Sequence, residues 1–132
     1  MAEAEKAVLE VRNLKVEFPG RRGVATALSD VSLSIRPGEI LGVVGESGAG
    51  KSMTGLAIQG LLERPGRIAE GEIWLGERRI DQLSDREMET IRGREIGAIF
   101  QDPLTSLNPL FTVGAQLTET IRQHLGMGKA EA

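Results

Sequence analysis

Eight consecutive residues, Gly45-Glu-Ser-Gly-Ala-Gly-Lys-Ser52, fit the pattern G-x-x-x-x-G-K-[ST] at every position. Each fixed position has a chemical reason. Phosphate groups carry concentrated negative charge, and backbone N–H groups in a tightly wrapped loop can point at their oxygens. Glycine supplies the backbone angles and close approach that such wrapping needs. The positive end of a following helix adds to the field. Lys51 is then the residue that reaches the β- and γ-phosphates of a nucleoside triphosphate, and the Ser52 hydroxyl is a Mg²⁺ ligand. Glu46 lies inside the loop but is read as pointing away, because a carboxylate facing phosphates would repel them.

The loop needs elements to hold it. Ile40-Leu-Gly-Val-Val44 is continuously apolar and predicts a strand covered on both faces. Behind the loop, Met53, Leu56, Ala57 and Leu61 fall at helical spacing and predict a helix over about 50–62. Upstream, Leu9, Val11, Leu14, Val16 and Phe18 alternate with polar residues, as in a strand pair or one long bent strand. Pro19 to Gly23 is a turn cluster, with Arg21 and Arg22 solvated, and Val31, Leu33 and Ile35 mark another half-buried strand. Pro65-Gly66 ends the helical region, and residues 71–80 predict a strand or short hairpin around Trp74, a packing residue. Ser84 with Glu87 is a capping-box pattern opening a short helix to about Ile91. Ile96-Gly-Ala-Ile-Phe100 predicts a second covered strand. Residues 101–109 form a loop, and a helix runs over about 113–125 with Val113, Leu117 and Ile121 on one face. The class is α/β.

Composition removes other chemistries. With 132 residues, 40% hydrophobic and 27% charged, the chain suits one modest globular domain or part of one. The absence of cysteine excludes disulfides, thiolate metal sites and Cys nucleophiles. A net charge of −3 argues against a nucleic-acid backbone as the main partner. The longest apolar run, Ile40 to Gly45, is far short of the roughly 20 residues needed to span a bilayer. The acidic start Met-Ala-Glu-Ala-Glu-Lys does not read as a signal peptide. Any membrane connection is thus expected to go through a partner. His124, the single histidine, is assigned a solvated or helix-terminal role, and Asp102 a loop-structuring one.

The order Phe18, VSLSIRPGE, ILGVVGESGAGKS, IFQDP resembles the nucleotide-binding domain of ATP-binding cassette (ABC) proteins. Residues 99–117, IFQDPLTSLNPLFTVGAQL, look more specifically like the peptide and nickel importer branch. The resemblance implies a P-loop NTPase core sheet with an antiparallel β subdomain at the N-terminus. It implies ATP and Mg²⁺ as ligands, and ATP hydrolysis coupled to uptake of peptides or related solutes; peptide, nickel and glutathione stay open as cargo. Phe18 matches the aromatic position that stacks on adenine, although continuing the apolar face of Leu14 and Val16 is the alternative. Gln101 matches the glutamine of the family's Q-loop, which touches Mg²⁺ or the attacking water and meets the membrane subunit. The implied nucleotide set is Phe18, Gly45, Ser47, Gly48, Ala49, Gly50, Lys51, Ser52 and Met53. Lys51 and Gln101 are the catalytic residues, and Ser52 and Gln101 the metal ligands. The implied partners are integral membrane permease subunits, through the Gln101 loop, and a second ATP-binding subunit in a head-to-tail dimer at the cytoplasmic face of the inner membrane. No nucleic acid is expected beyond the nucleotide.

The pattern also predicts what a complete domain would add after Gln101: an LSGGQ-type signature, an acidic strand motif ending in a catalytic Glu, and a switch His. None occurs in this sequence. Residues 1–132 are therefore expected to be the N-terminal portion of one ABC ATP-binding domain, ending before the helical subdomain is complete. Such a chain would bind nucleotide weakly, hydrolyse almost nothing and be marginally stable. Two other readings stand beside this one: a nucleic-acid- or ribosome-associated ABC-type ATPase, and a non-catalytic nucleotide-binding module.

Overall fold

The structure is a computed structural model describing residues 5–132. The first four residues of the acidic start lie outside it. The chain divides into two compact units, one up to Asp85 and one from Arg86.

The first unit is built on an antiparallel sheet of order β2-β1-β3-β4, formed by β1 (Leu9–Gly20), β2 (Gly23–Ile35), β3 (Arg67–Leu75) and β4 (Arg78–Arg79). β1 and β2 form a hairpin that turns at Arg21-Arg22, both exposed, with Gly20 paired to Gly23. The alternation in β1 resolves as one long bent strand. Val11, Leu14 and Val16 are all buried, although Val11 and Leu14 are three apart. A strict period of two would put them on opposite faces. Asn13, in left-handed backbone at φ 49°, inserts the extra residue that restores the face. Asp30 on β2 is also left-handed (φ 53°), and the Asn13 side-chain amide donates to its carboxylate at 2.7 Å. Gly71 on β3 completes this level of the sheet at φ 96°. A Cβ there would lie 2.5 Å from the Asn13 carbonyl oxygen, so only glycine lets β3 pass. Val11, Leu14 and Val16, with Leu28, Ile73 and Ile80, are the buried core on this side of the unit.

Helix α1 spans Lys51–Gln59 and lies against β2, with Thr54 and Ala57 buried. It is shorter than its apolar spacing suggests. Gly60, at φ 66°, ends it in a left-handed cap, where the N–H groups of Gly60 and Leu61 donate to the carbonyls of Ala57 and Leu56.

The second unit holds most of α2 (Asp85–Glu89) and all of α3 (Val113–Leu125), the latter at the bounds the sequence predicts. The Thr112 hydroxyl caps α3 by accepting from the Ala115 N–H at 3.2 Å. Asp102 orders the loop as expected, its carboxylate accepting from the Leu104 N–H at 2.9 Å. The His124 ring covers Gly93.

Two expectations are corrected. Residues 40–44 and 96–100 form no strand of the sheet, apart from one bridge between Arg92 and Ile96. Nor are they covered: Ile40 is 97% exposed, Val44 94% and Ile99 102%. A continuously apolar strand needs hydrogen-bonding neighbours on its edges and layers on both faces. The described residues supply neither to these segments.

Candidate functional site

The loop Gly45–Ser52 coils back on itself before entering α1. The Ala49 N–H donates to the Glu46 carbonyl at 3.0 Å. Gly48 (φ 85°) and Gly50 (φ 95°) occupy left-handed backbone, which explains Gly50, one of the two glycines the pattern demands, and the glycine at the free position 48. At Gly45 the reason is space, since a Cβ there would meet Ala49 Cβ at 3.1 Å. The end of the loop is anchored by Thr54, whose N–H and hydroxyl both donate to the Gly50 carbonyl at 2.9 Å.

The loop leaves the backbone N–H groups at the start of the helix open. Gly50 is the N-cap of α1 and brings no side-chain oxygen to the first turn, and no acidic residue lies there. The first N–H groups of a helix have no partner within it. Here they open beside exposed Ser47, Gly48 and Ala49, where an acceptor with several oxygens fits. The Lys51 ammonium is folded onto the loop and donates to the carbonyl oxygens of Gly45 and of Glu46, the latter at 2.8 Å. Those carbonyls hold the cation at the loop's mouth. Glu46 is exposed and uses its main chain, not its carboxylate, in this arrangement. Ser52 is exposed one residue past Lys51, and Met53 follows within the first turn of the helix. A hydroxyl in that position suits a hard, oxygen-seeking cation. Among the described residues no group of three or more His, Asp or Glu could hold a metal by itself.

Phe18 pairs with the strand on which this loop leans. Gly50 abuts β2, because a Cβ on it would stand 2.4 Å from Leu28 Cδ2 and 3.9 Å from the Ala27 carbonyl. Phe18 pairs with Ala25 on the same strand, while Val16 pairs with Leu28. Ala25 and Leu28 are three residues apart, or about 10 Å of strand. Phe18 is half-buried, and its ring edge meets Gly66. Together with residues 20–25 it lines an open hollow of about 510 Å³. Beside it, Lys15, at 3.0 Å, and Arg67, at 3.4 Å, hold the Glu17 carboxyl below its ordinary value of 4.5. The hydrogen bond from Lys15 is the larger cause.

Gln101 is exposed at the start of the loop in the second unit, so it is not among the residues that the first unit gathers. Trp74 behaves as a packing residue. Its indole N–H donates to Glu72 at 2.7 Å, and the Arg12 guanidinium lies 5.7 Å from its ring centre. The hollow of about 310 Å³ beside it is lined by Lys6, Glu10, Arg12 and Glu77, which pair with one another as Lys6–Glu77 and Glu10–Arg12. It therefore offers no unsatisfied charge to a ligand. The residue that sequence reasoning missed is Gly66. Pro65-Gly66 signals a turn, but nothing local signals a contact with a ring 48 positions earlier in the chain.

Comparison with known proteins places this geometry. The family model described as "ABC transporter" matches residues 28–131. The oligopeptide transport ATP-binding protein OppD of Salmonella typhimurium is 50% identical over 125 residues, covering 95% of this chain and 37% of the relative. The dipeptide transport ATP-binding protein DppD of Escherichia coli is 41% identical over 124 residues, covering 94% of this chain and 38% of the relative. The chain thus spans little more than a third of the length of these curated relatives. Among solved structures, the ATP-binding cassette MJ0796 in a post-hydrolysis dimer bound to ADP and Pi superposes with a TM-score of 0.77 at 28% identity. That match covers 91% of this chain and 50% of that one. Another dimeric MJ0796 cassette gives a TM-score of 0.73, covering 86% and 46%.

Proposed function

The chain belongs to the ABC transporter family, and from that premise we propose that its protein is the ATP-binding subunit of a transporter that couples ATP hydrolysis to uptake of peptides or related small solutes. The observation that carries this reading is the open loop Gly45–Ser52 at the N-terminus of α1, set against the same strand that Phe18 pairs with. About 10 Å of β2 separates the two contacts, a span that a ribose together with its first phosphates can bridge. The similarity to OppD and DppD, both named as peptide transport ATP-binding proteins, supports the solute class.

In this reading the loop's N–H groups bind the β-phosphate, and Lys51 exchanges two loop carbonyls for the β- and γ-phosphate oxygens. That exchange replaces dipoles by charges and strengthens the hydrogen bonds it makes. Phe18 offers its ring to the adenine. Ser52 would hold Mg²⁺, and the ion's charge would offset that of the phosphates. Residues 1–132 are the N-terminal portion of one ATP-binding domain and supply the phosphate-holding part of the whole protein's ATPase. Among the described residues no helix is long and apolar enough to cross a membrane. The membrane attachment we propose is peripheral, through permease subunits that meet the Gln101 loop, in keeping with the similarity to transport ATP-binding proteins. A second ATP-binding subunit completes the site in a head-to-tail dimer, as the dimeric cassettes suggest.

The test is co-purification of the full-length protein from membranes, followed by ATPase assay of the complex. The expected result is recovery of an integral membrane pair and an ATPase rate that rises with added peptide. Recovery of DNA in place of that pair would sink the proposal.

A further inference from the structure

Phe18 does not reach its hollow unaided. The turn that follows α1 is closed by a hydrogen bond from the Gly66 N–H to the Glu63 carbonyl at 2.8 Å. This turn presents Gly66 to the tip of the Phe18 ring. A Cβ on Gly66 would stand 2.7 Å from Phe18 Cε1, 2.8 Å from Phe18 Cζ and 2.7 Å from the Glu63 oxygen. Gly66 does not have the left-handed φ that makes glycine obligatory at Gly48 or Gly50. Its requirement is space, and two of the three atoms that claim that space belong to the ring.

We propose that Gly66 is a positioning residue for the nucleobase: its bare Cα is the stop against which the Phe18 ring rests, and it sets the ring plane offered to the base. This rests on the reading of Phe18 as the stacking residue. A methyl group placed below 3 Å from both a backbone oxygen and a ring has no room unless one of them shifts. The Glu63 oxygen is tied into the turn by its hydrogen bond. The ring turns about two side-chain bonds, so it is the partner that yields. A displaced ring no longer lies parallel to the base, and stacking is lost while the phosphate loop, anchored separately through Thr54 and Leu28, keeps its form.

The proposal separates base recognition from phosphate recognition, and so does its test. Mg-ATP and Mg-tripolyphosphate, which has no base, are titrated into the full chain, G66A, F18L and the double variant. Gly66→Ala is expected to weaken ATP binding by about tenfold and to leave tripolyphosphate within about twofold. The double variant should bind ATP no more weakly than F18L alone. Equal loss of both ligands, or no loss of either, overturns the proposal. A second measurement needs no nucleotide. The chain has three phenylalanines, so fluorophenylalanine labelling gives three ¹⁹F resonances, assigned through F18L. G66A should shift the Phe18 resonance and spare those of Phe100 and Phe111. An unmoved Phe18 resonance overturns the proposal.

If F18L itself keeps the wild-type ratio of ATP to tripolyphosphate affinity, the stacking role assigned above fails. The ¹⁹F shift then decides separately whether Gly66 sets the ring. Should G66A not fold, the double variant decides: recovery of folding in F18L/G66A supports the contact, and failure of both contradicts it.

Discussion

Gly50 and Leu28 are so close that a Cβ on Gly50 would stand 2.4 Å from Leu28 Cδ2. The Gly45–Ser52 loop therefore leans on β2 at its helical end, and β2 in turn carries the partner of Phe18. This one contact ties the position of the loop to the antiparallel sheet.

Substitution at the two left-handed loop glycines should separate strain from collision. Gly48→Ala meets nothing within 4 Å and has only its φ of 85° to pay for, about 1–2 kcal/mol. Gly50→Ala adds overpacking against Leu28, about 1–3 kcal/mol more. Urea denaturation should rank G50A below G48A, with Leu28→Ala recovering part of the difference in the double variant. Equal midpoints for G48A and G50A would show that the contact carries no energy.

The sheet's bend predicts a second ranking. Gly71→Ala places a methyl 2.5 Å from the Asn13 oxygen at a φ of 96°, whereas Gly76→Ala, at φ 58°, meets nothing within 4 Å. G71A should cost about 2–4 kcal/mol and G76A about 1 kcal/mol, read from chemical denaturation. A G71A chain as stable as G76A would mean that β1 and β3 pass each other more loosely at Asn13.

Acid should loosen the first unit. The carboxyls of Glu10, Glu17 and Glu77 are held below 4.5 chiefly by hydrogen bonds from Arg12, Lys15 and Lys6 respectively. A depressed folded-state value means stability that is present above the unfolded value and lost as pH falls through the folded one. The loss therefore falls below pH 4.5. The Lys6–Glu77 and Glu10–Arg12 pairs lie open to solvent, which keeps their share small and sensitive to salt, whereas the Lys15–Glu17 pair is half-buried and less screened. Glu17→Gln should lower the denaturation midpoint at neutral pH and flatten its acid dependence. An unchanged acid slope in E17Q would remove Glu17 from the account.

The sequence made the loop, β1, the turn after it, the last part of β2, the Trp74 strand and α3 legible, because each rests on a local signal: a fixed glycine pattern, a period of two, a turn cluster, a helical spacing. Long-range relations were not legible. Val11 and Leu14 share a face only because Asn13 bulges, and the contacts of Gly66 with Phe18 and of Gly50 with Leu28 join distant parts of the chain. The apolar runs at 40–44 and 96–100 carried the pattern of covered strands, but covering is a property of neighbours. The described residues provide none to these runs, and the pattern alone could not reveal that.

Those runs predict self-association. With Ile40, Val44 and Ile99 almost fully exposed, the chain presents apolar surface with unpaired backbone. Sedimentation velocity should show concentration-dependent oligomers, and Val44→Lys with Ile99→Lys should shift the distribution toward monomer. A wild-type chain that stays monomeric at about 100 μM would contradict this.

The central claim is that the Gly45–Ser52 loop holds phosphates and that Lys51 contributes its charge to them. It is tested most directly by calorimetric titration of Mg-ATP into the wild-type chain and Lys51→Ala under matched salt. Loss of a charge-assisted hydrogen bond of about 1.5–3 kcal/mol predicts affinity weaker by about ten- to a hundredfold in K51A. Equal affinity in the two chains would contradict the claim.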